Sequence, residues 1–119
     1  MALPLEPLRR PADFAALQRG GTSRAHPLLV LRAVRNDLER TRVGFSTGRR
    51  LGTAVVRNRV RRRLRAIVRA LSSRIETGWD VLIVARPGAV EASFEQLAAA
   101  LERLLRRAGV LRSGAEPQA

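Results

Sequence analysis

The sequence lacks cysteine, lysine and tyrosine, and its aromatic residues are three phenylalanines and one tryptophan. Without cysteine it can form neither a disulfide, a thiolate metal site nor a cysteine nucleophile. It has no run of 18 apolar residues, so no membrane-spanning helix is predicted. Its first residues contain no apolar run of the kind found in a signal peptide. We therefore expect a soluble protein of the cytoplasm.

Residues suited to catalysis are sparse. His26 is the one histidine, and it has no acid or nucleophile beside it from which a triad could be argued. Asp13, Asp37, Glu39 and Asp80 fall in different predicted elements, and no pair has the spacing of a metal site or an acid–base couple. No glycine loop matches a nucleotide-phosphate motif. The sequence therefore predicts no catalytic residue, no assignable metal site and no intrinsic cofactor.

Positive charge is abundant and clustered. The 119 residues carry 23 arginines against 10 acids, a formal net charge of +13, while the hydrophobic content of 45% is ordinary for a globular domain. Exclusive use of arginine is explained most simply by codon bias, so the clustering is the informative feature. Residues 57 to 69 hold seven arginines, and no acid occurs between Arg57 and Arg74. A charge run on a solvated helix normally mixes signs, so this one predicts binding to nucleic acid.

The arginine run has the period of an amphipathic helix. Apolar residues recur on one stripe, which predicts a helix face packed on a core. Arg57, Arg59, Arg61 and Arg63 fall on the flanks of that face. The apolar stripe is Val56, Val60, Leu64, Ile67, Val68, Leu71 and Ile75, and the outward stripe is Asn58, Arg62, Arg65 and Arg69.

The remaining pattern predicts one α+β domain with helices on one or both sides of a small sheet. A short helix begins at Pro11, and Ser93 with Gln96 forms a capping-box pattern that opens the last helix. Phe14, Phe45, Phe94 and Trp79 are most simply core residues. Strands are expected at residues 27–35, 41–47 and 79–85, with a short strand at 22–26 less clearly marked. The predicted organisation is an irregular arm at 1–10, a domain at 11–108 and a flexible tail at 109–119.

An ordered set of motifs resembles the protein subunit of bacterial ribonuclease P. The segment from Val55 to Arg65, with Arg57-Asn58-Arg59 inside it, is similar to the family's "RNR" signature. Further matches occur in the family's order and spacing, over roughly residues 8 to 108. They are Asp13-Phe14, Gly21-Thr22-Ser23, Arg42-Val43-Gly44-Phe45-Ser46, Arg49-Arg50 and Val81-Leu82-Ile83-Val84-Ala85-Arg86.

The resemblance implies a compact α-β-β-β-α-β-α sandwich of the ribosomal-protein-like kind. It also implies a left-handed strand–helix–strand crossover through the basic helix. Strand–helix–strand crossovers are otherwise almost always right-handed, so residue patterns alone would predict the opposite hand.

The resemblance further implies a division of labour with a catalytic RNA. In the family that RNA removes the 5′ leader of precursor tRNA with Mg²⁺, and the protein binds both the RNA subunit and the leader. The catalytic centre and most Mg²⁺ are thus expected on the RNA, and no protein partner or membrane is implied. By position, the RNA subunit is expected to contact Arg57, Asn58, Arg59, Arg62 and Arg65, with Arg61 and Arg69 added from helical geometry. The leader-binding cleft is expected to involve Phe14, Ser46, Arg49, Arg50 and Arg86.

Two positions of the cleft depart from the family pattern. Gln18 and Arg32 stand where relatives commonly have aromatic residues. We therefore expect leader binding to rely more on charge and less on stacking, with a steeper salt dependence. Two other functions stay open from the residues: a ribosomal or other structural RNA-binding protein without a processing role, and a stand-alone nuclease, against which the sparse catalytic residues weigh.

Overall fold

The computed structural model describes residues 5–8 and 11–112. The described residues form five strands and three α-helices. In chain order they are β1 (Leu5–Pro7), α1 (Pro11–Arg19), β2 (Thr22–Ala25), β3 (Leu29–Arg35), β4 (Thr41–Ser46), α2 (Ala54–Leu71), β5 (Trp79–Ala85) and α3 (Phe94–Arg107).

All five strands belong to one mixed sheet in the order β1-β4-β5-β3-β2. The strands β1, β4 and β5 run parallel to one another, whereas β5 with β3 and β3 with β2 pair antiparallel. The path from β4 through α2 to β5 therefore joins two parallel neighbours. This is the crossover that the family resemblance predicts to be left-handed.

The two faces of the sheet pack against different helices because side chains alternate along each strand. On one face, Leu31 and Ile83 are fully buried in the main core beneath α2 and α3. On the other face, Leu17 of α1 packs with Leu82 and Leu8 in a smaller cluster. Each fully buried leucine contributes about 1.5–3 kcal/mol. The α+β sandwich predicted from the sequence is thus confirmed, with helices on both sides.

Both ends of the domain are more ordered than the sequence predicted. The arm was expected to be irregular, but Leu5–Pro7 forms the edge strand β1 beside residues 41–43 of β4. The tail was expected to be flexible from residue 109, but Val110 and Leu111 are buried, and Leu111 bridges to Ile75. Burial of these two apolar side chains offsets much of the cost of ordering the segment. Residues 113–119 lie outside the described part.

Phe94 also differs from its prediction. It was expected in the core, but it is 41% exposed at the start of α3. The capping box of that helix is confirmed, since Gln96 N donates to Ser93 Oγ and Ser93 N donates to Gln96 Oε1. This cap fixes the start of the helix and leaves the first side chain at the surface. Within the described ranges, no helix combines the length and apolar content required to cross a membrane.

Candidate nucleic-acid interface

Helix α2 presents a basic face to solvent and an apolar face to the core. Thr53 caps its start by accepting a hydrogen bond from Val56 N, and such a cap stabilises a helix by about 1 kcal/mol. The outward stripe is confirmed, and the apolar stripe is confirmed over the middle of the helix, whereas Val56 and Leu71 are half-buried and Ile75 lies beyond its end. The buried residues are Val60, Leu64, Ile67 and Val68, and the exposed ones are Asn58, Arg62, Arg65 and Arg69.

No carboxylate in the described part of the chain neutralises the charge of α2. Among the ion pairs between described residues, none joins an α2 arginine to a carboxylate. Like charges three or four residues apart destabilise a helix by a few tenths of a kcal/mol per pair. A bound polyanion would remove this repulsion.

The arginines on one flank of α2 turn towards the end of β4. Arg61 donates from Nη1 to Asn58 Oδ1 over 3.0 Å and from Nη2 to Thr47 Oγ1. Arg65 lies over the Phe45 ring, with 6.0 Å between the guanidinium carbon and the ring centroid. These contacts hold two cations beside the sheet.

The other flank of α2 turns towards the loop after β5. Arg63 Nη1 donates to Ala92 O over 3.2 Å, and Arg59 Nη2 approaches Val90 O at 3.5 Å. Arg59 is exposed and can still reach a ligand, whereas Arg63 is half-buried and supports the loop. Arg57 is half-buried as well, and its buried Nε has no hydrogen-bond partner among the described residues.

A cavity of about 150 Å³ brings α1, β4 and the flank of α2 together. Phe14 from α1 and Phe45 from β4 supply aromatic walls, and Arg61 and Arg65 supply the positive charge. The sequence assigned Phe14 to the leader cleft and both arginines to the RNA subunit. The structure places all three around one cavity, so the two expected surfaces meet there.

Gly44 allows Phe14 to lie against the sheet. A Cβ at Gly44 would lie 3.1 Å from Phe14 Cε1 and 3.1 Å from Leu8 Cβ, tighter than most packed contacts, so these neighbours would have to shift by a few tenths of an ångström. The missing side chain therefore leaves the space into which Phe14 fits. Phe14 is half-buried and belongs to the cluster of Leu8, Leu17 and Leu82.

A half-buried strip of sheet continues on the α1 side. Ser46 pairs with Val84, and Val84 pairs with Val30, so the three side chains lie side by side on neighbouring strands. Arg49 and Arg50 are exposed in the 3-10 turn after β4. The strip and this turn form an open, positively charged end of the sheet.

The remaining cleft residues lie at separate positions. Arg86 is exposed after β5 and donates from Nη1 to His26 O over 3.3 Å. Arg32 is half-buried and donates from Nε to Leu17 O over 3.2 Å, so it anchors α1. The side chain of Gln18 lies outside the described residues. Neither Arg86 nor Arg32 lines the cavity beside Phe14.

An ion-pair network fixes α1 on the sheet. Arg42 forms a 2.6 Å contact with Asp80 and a 3.3 Å contact with Asp13 of α1. The hydrogen bond to Asp80 raises the pKa of Arg42 most; burial lowers it, and the charges of Asp80 and Asp13 raise it further. Asn36 donates to Asp80 over 2.8 Å and so supports the buried carboxylate.

The described residues do not form an evident metal site. No group of three or more His, Cys, Asp or Glu within them is placed to hold a metal ion. Sequence reasoning missed Thr47, the acceptor for Arg61, because a single threonine after a strand carries no functional signal.

Comparison with known proteins gives a consistent result. The family model described as Ribonuclease P matches residues 4–109. The chain belongs to the ribonuclease P protein family. The ribonuclease P protein component of Roseiflexus castenholzii is 45% identical over 105 residues, covering 87% of this chain and 86% of that protein. The component of Chloroflexus aggregans is 46% identical, covering 87% and 78%.

Solved structures of ribonuclease P proteins share the fold. The Staphylococcus aureus protein superposes with a TM-score of 0.82 at 29% identity, covering 89% of this chain and 97% of that one. The Thermotoga maritima protein gives a TM-score of 0.79 at 27% identity, covering 86% and 96%. The fold and family predicted from the RNR-like motif are thereby confirmed. The RNA contacts of individual residues stay predictions.

Proposed function

We propose that this chain is the protein subunit of ribonuclease P and assists a catalytic RNA in removing the 5′ leader of precursor tRNA. The observation that carries the proposal is the outward face of α2. It displays arginines that pair with no carboxylate of residues 5–8 and 11–112, on a member of the ribonuclease P protein family. Neutralising phosphates lets two polyanions, the catalytic RNA and its substrate, approach each other.

The proposed docking face for the catalytic RNA is the outward side of α2. Asn58, Arg62 and Arg69 are exposed there, and none of them lines the cavity beside Phe14. Arg57 and Arg59 extend this face along its edges. Guanidinium groups bind phosphate through paired hydrogen bonds, so the face suits a folded RNA backbone.

The proposed leader site begins at the cavity beside Phe14 and continues over the strip of Ser46 and Val84. Single-stranded RNA is recognised by stacking of bases on aromatic rings together with contacts to phosphate. Phe14 supplies a ring, and Arg61 and Arg65 supply cations within the same cavity. Arg49, Arg50 and Arg86 offer further phosphate contacts along the open end of the sheet.

Catalysis is proposed to occur on the RNA subunit, where the Mg²⁺ ions are also expected. In this chain, His26 Nδ1 accepts a hydrogen bond from Leu28 N over 3.0 Å and so stabilises a turn. The chain itself would bind the two RNAs, neutralise their phosphates and orient the precursor tRNA. This role places the protein with precursor tRNA in the cytoplasm.

Three reactions test the proposal. Precursor-tRNA cleavage is measured with the protein alone, with the catalytic RNA alone at low Mg²⁺, and with both. Cleavage restored only in the mixture supports the proposed role. Cleavage by the protein alone would indicate a nuclease, and no stimulation of the RNA would indicate a structural RNA-binding protein.

Two variants test the division of surfaces. Arg62→Ala combined with Arg69→Ala is expected to weaken binding to the catalytic RNA. Phe14→Ala is expected to reduce the preference for leader-bearing precursor over mature tRNA. Arg65 is less suitable for the first variant because it shares the cavity with Phe14. Identical defects in both variants would show that the surfaces do not act separately.

A further inference from the structure

A second cavity, of about 450 Å³, opens beside α3 at the end of the sheet. Its volume falls within the roughly 300–1,000 Å³ of typical ligand sites. Leu28, Ala92 and Ala100 supply apolar lining, and His26, Glu91 and Arg103 supply polar groups. None of these six residues belongs to the two RNA surfaces described above.

The strip of sheet beside α1 leads to this cavity. The row formed by Ser46, Val84 and Val30 continues to Ala25 of the edge strand, and His26 follows Ala25 directly. Arg86 joins the two regions as well. Its backbone N donates to Leu28 O over 2.9 Å, and its side chain bonds His26 O. A strand of RNA that follows the strip past Arg86 would therefore reach His26 at the end of the sheet and turn there to the α3 side.

The polar groups of the cavity suit the edge of a nucleobase. His26 Nδ1 accepts from Leu28 N, so in the neutral ring Nε2 carries the proton and can donate. Glu91 can accept hydrogen bonds from an amino or imino group, and its charge disfavours phosphate on that side. The apolar lining can receive the flat ring, since bases flipped out of a strand bind between apolar or aromatic groups.

Arginines stand where the flanking phosphates would lie. Arg103 lines the cavity, and exposed Arg86 lies at the approach from the strip. A site with an apolar centre, hydrogen-bonding groups and cations at its border matches one nucleotide of a single strand.

We propose that this cavity binds an unpaired base of the 5′ leader, upstream of the nucleotides held beside Phe14. The inference rests on the proposed function, because it requires a leader that runs along the strip. It extends the leader site from the α1 side of the sheet to α3. Leaders long enough to reach His26 gain a contact that short leaders lack.

The test uses the holoenzyme reconstituted from the full chain and its catalytic RNA. Affinity is measured for a precursor whose leader ends beside Phe14 and for one several nucleotides longer. Ala99→Leu reduces the cavity from the exposed side of α3, and Arg103→Ala removes its cation. Arg107→Ala is the matched control, since it removes an exposed arginine of the same helix that does not line the cavity.

We expect the wild-type protein to bind the long leader more tightly than the short one. Ala99→Leu and Arg103→Ala should each remove this gain, which we expect to be about fivefold, the size of one lost net hydrogen bond to the base. Both variants should bind the short leader as the wild type does, and Arg107→Ala should keep the gain.

Abasic nucleotides give an independent readout. One abasic nucleotide is placed at each position of the long leader in turn. At one upstream position it should weaken binding of the leader by the wild-type protein, and the same substitution should not weaken binding by Ala99→Leu. The proposal is overturned if the wild type gains nothing from the long leader, or if Arg103→Ala and Arg107→Ala behave alike. Failure to process even the short leader would instead refute the proposed function.

Discussion

Arg42 binds Asp80 across neighbouring strands, with 2.6 Å between Nη2 and Oδ2 and 2.8 Å between Nε and Oδ1. The side chain of Asp80 is only 6% exposed, and Arg42 also reaches Asp13 of α1. The pair thus connects the centre of the sheet to the helix that carries Phe14. A bidentate arginine–carboxylate contact fixes geometry as well as charge.

Removing the arginine should destabilise the fold. Arg42→Met leaves the buried Asp80 with Asn36 as its remaining side-chain partner, so we expect the free energy of unfolding to fall by about 1–3 kcal/mol. Asp13→Asn is the control. Its carboxylate lies 3.3–3.4 Å from Arg42 and is 19% exposed, so it should cost less, about 1 kcal/mol or below. Urea unfolding of the isolated protein measures both, and equal losses would contradict this ranking.

The contribution of the Arg42–Asp80 pair to the free energy of unfolding should not change with pH over the neutral range. The pKa of Arg42 is raised in the folded protein, so its contribution to stability is complete at pH values below the ordinary pKa of arginine. That contribution is lost only as the pH rises through the raised value. The stability difference between wild type and Arg42→Met should therefore stay constant from pH 7 to about pH 10. Urea unfolding midpoints of both proteins across this range measure the difference. A marked decrease of the difference towards pH 10 would contradict the proposed role of the Arg42–Asp80 ion pair.

Gly44→Ala should weaken leader recognition. The added Cβ would lie 3.1 Å from Phe14 Cε1, so the ring must shift from its place in the cavity. We expect about fivefold weaker binding of leader-bearing precursor, the lower end for loss of one stacked base. Mature tRNA should bind as before. Gly48→Ala is a matched control because a Cβ there meets nothing within 4 Å; if both variants bind the leader equally, Gly44 does not position Phe14.

Much of the fold was predictable because its signals are local. The stripe from Val60 to Val68 has the helical period, and Ser93 with Gln96 has the spacing of a capping box. The apolar run from Trp79 to Ala85 predicted a central strand, and β5 pairs on both sides. Each of these patterns lies within one element and can be read without knowledge of its neighbours.

The features that were missed depend on contacts distant in sequence. Leu5–Pro7 becomes a strand only because the edge of β4 lies beside it, and two of the first seven residues are prolines, which obscures the pattern. Leu111 is buried through its bridge to Ile75. Helical geometry placed Arg61 on a flank of α2, but it could not indicate that Thr47 and the cavity beside Phe14 lie on that side.

The outward arginines of α2 should set the salt dependence of binding to the catalytic RNA. Arg62→Ala combined with Arg69→Ala removes up to two phosphate contacts, so the slope of log K against log salt should fall by roughly 0.7–0.9 for each contact. Arg63→Ala is the matched control from the same helix. Its hydrogen bond to Ala92 O predicts a loss of about 1 kcal/mol in stability with an unchanged slope. Filter-binding titrations over a salt series decide the question, and a reduced slope in Arg63→Ala would show that this arginine contacts RNA.

Leader binding should depend more steeply on salt here than in relatives with aromatic residues at the positions of Gln18 and Arg32. Stacking is less sensitive to salt than phosphate contacts are. Gln18→Phe is the variant of choice, because Arg32 also anchors α1 through Leu17 O and its replacement would disturb the helix. We expect Gln18→Phe to strengthen leader binding and to make it less sensitive to salt. Gln18→Leu is the control, since it adds apolar surface without a ring. Matched titrations of precursor and mature tRNA measure the contribution of the leader to binding. If wild type, Gln18→Phe and Gln18→Leu show the same salt dependence, the idea that charge replaces stacking in this chain is wrong.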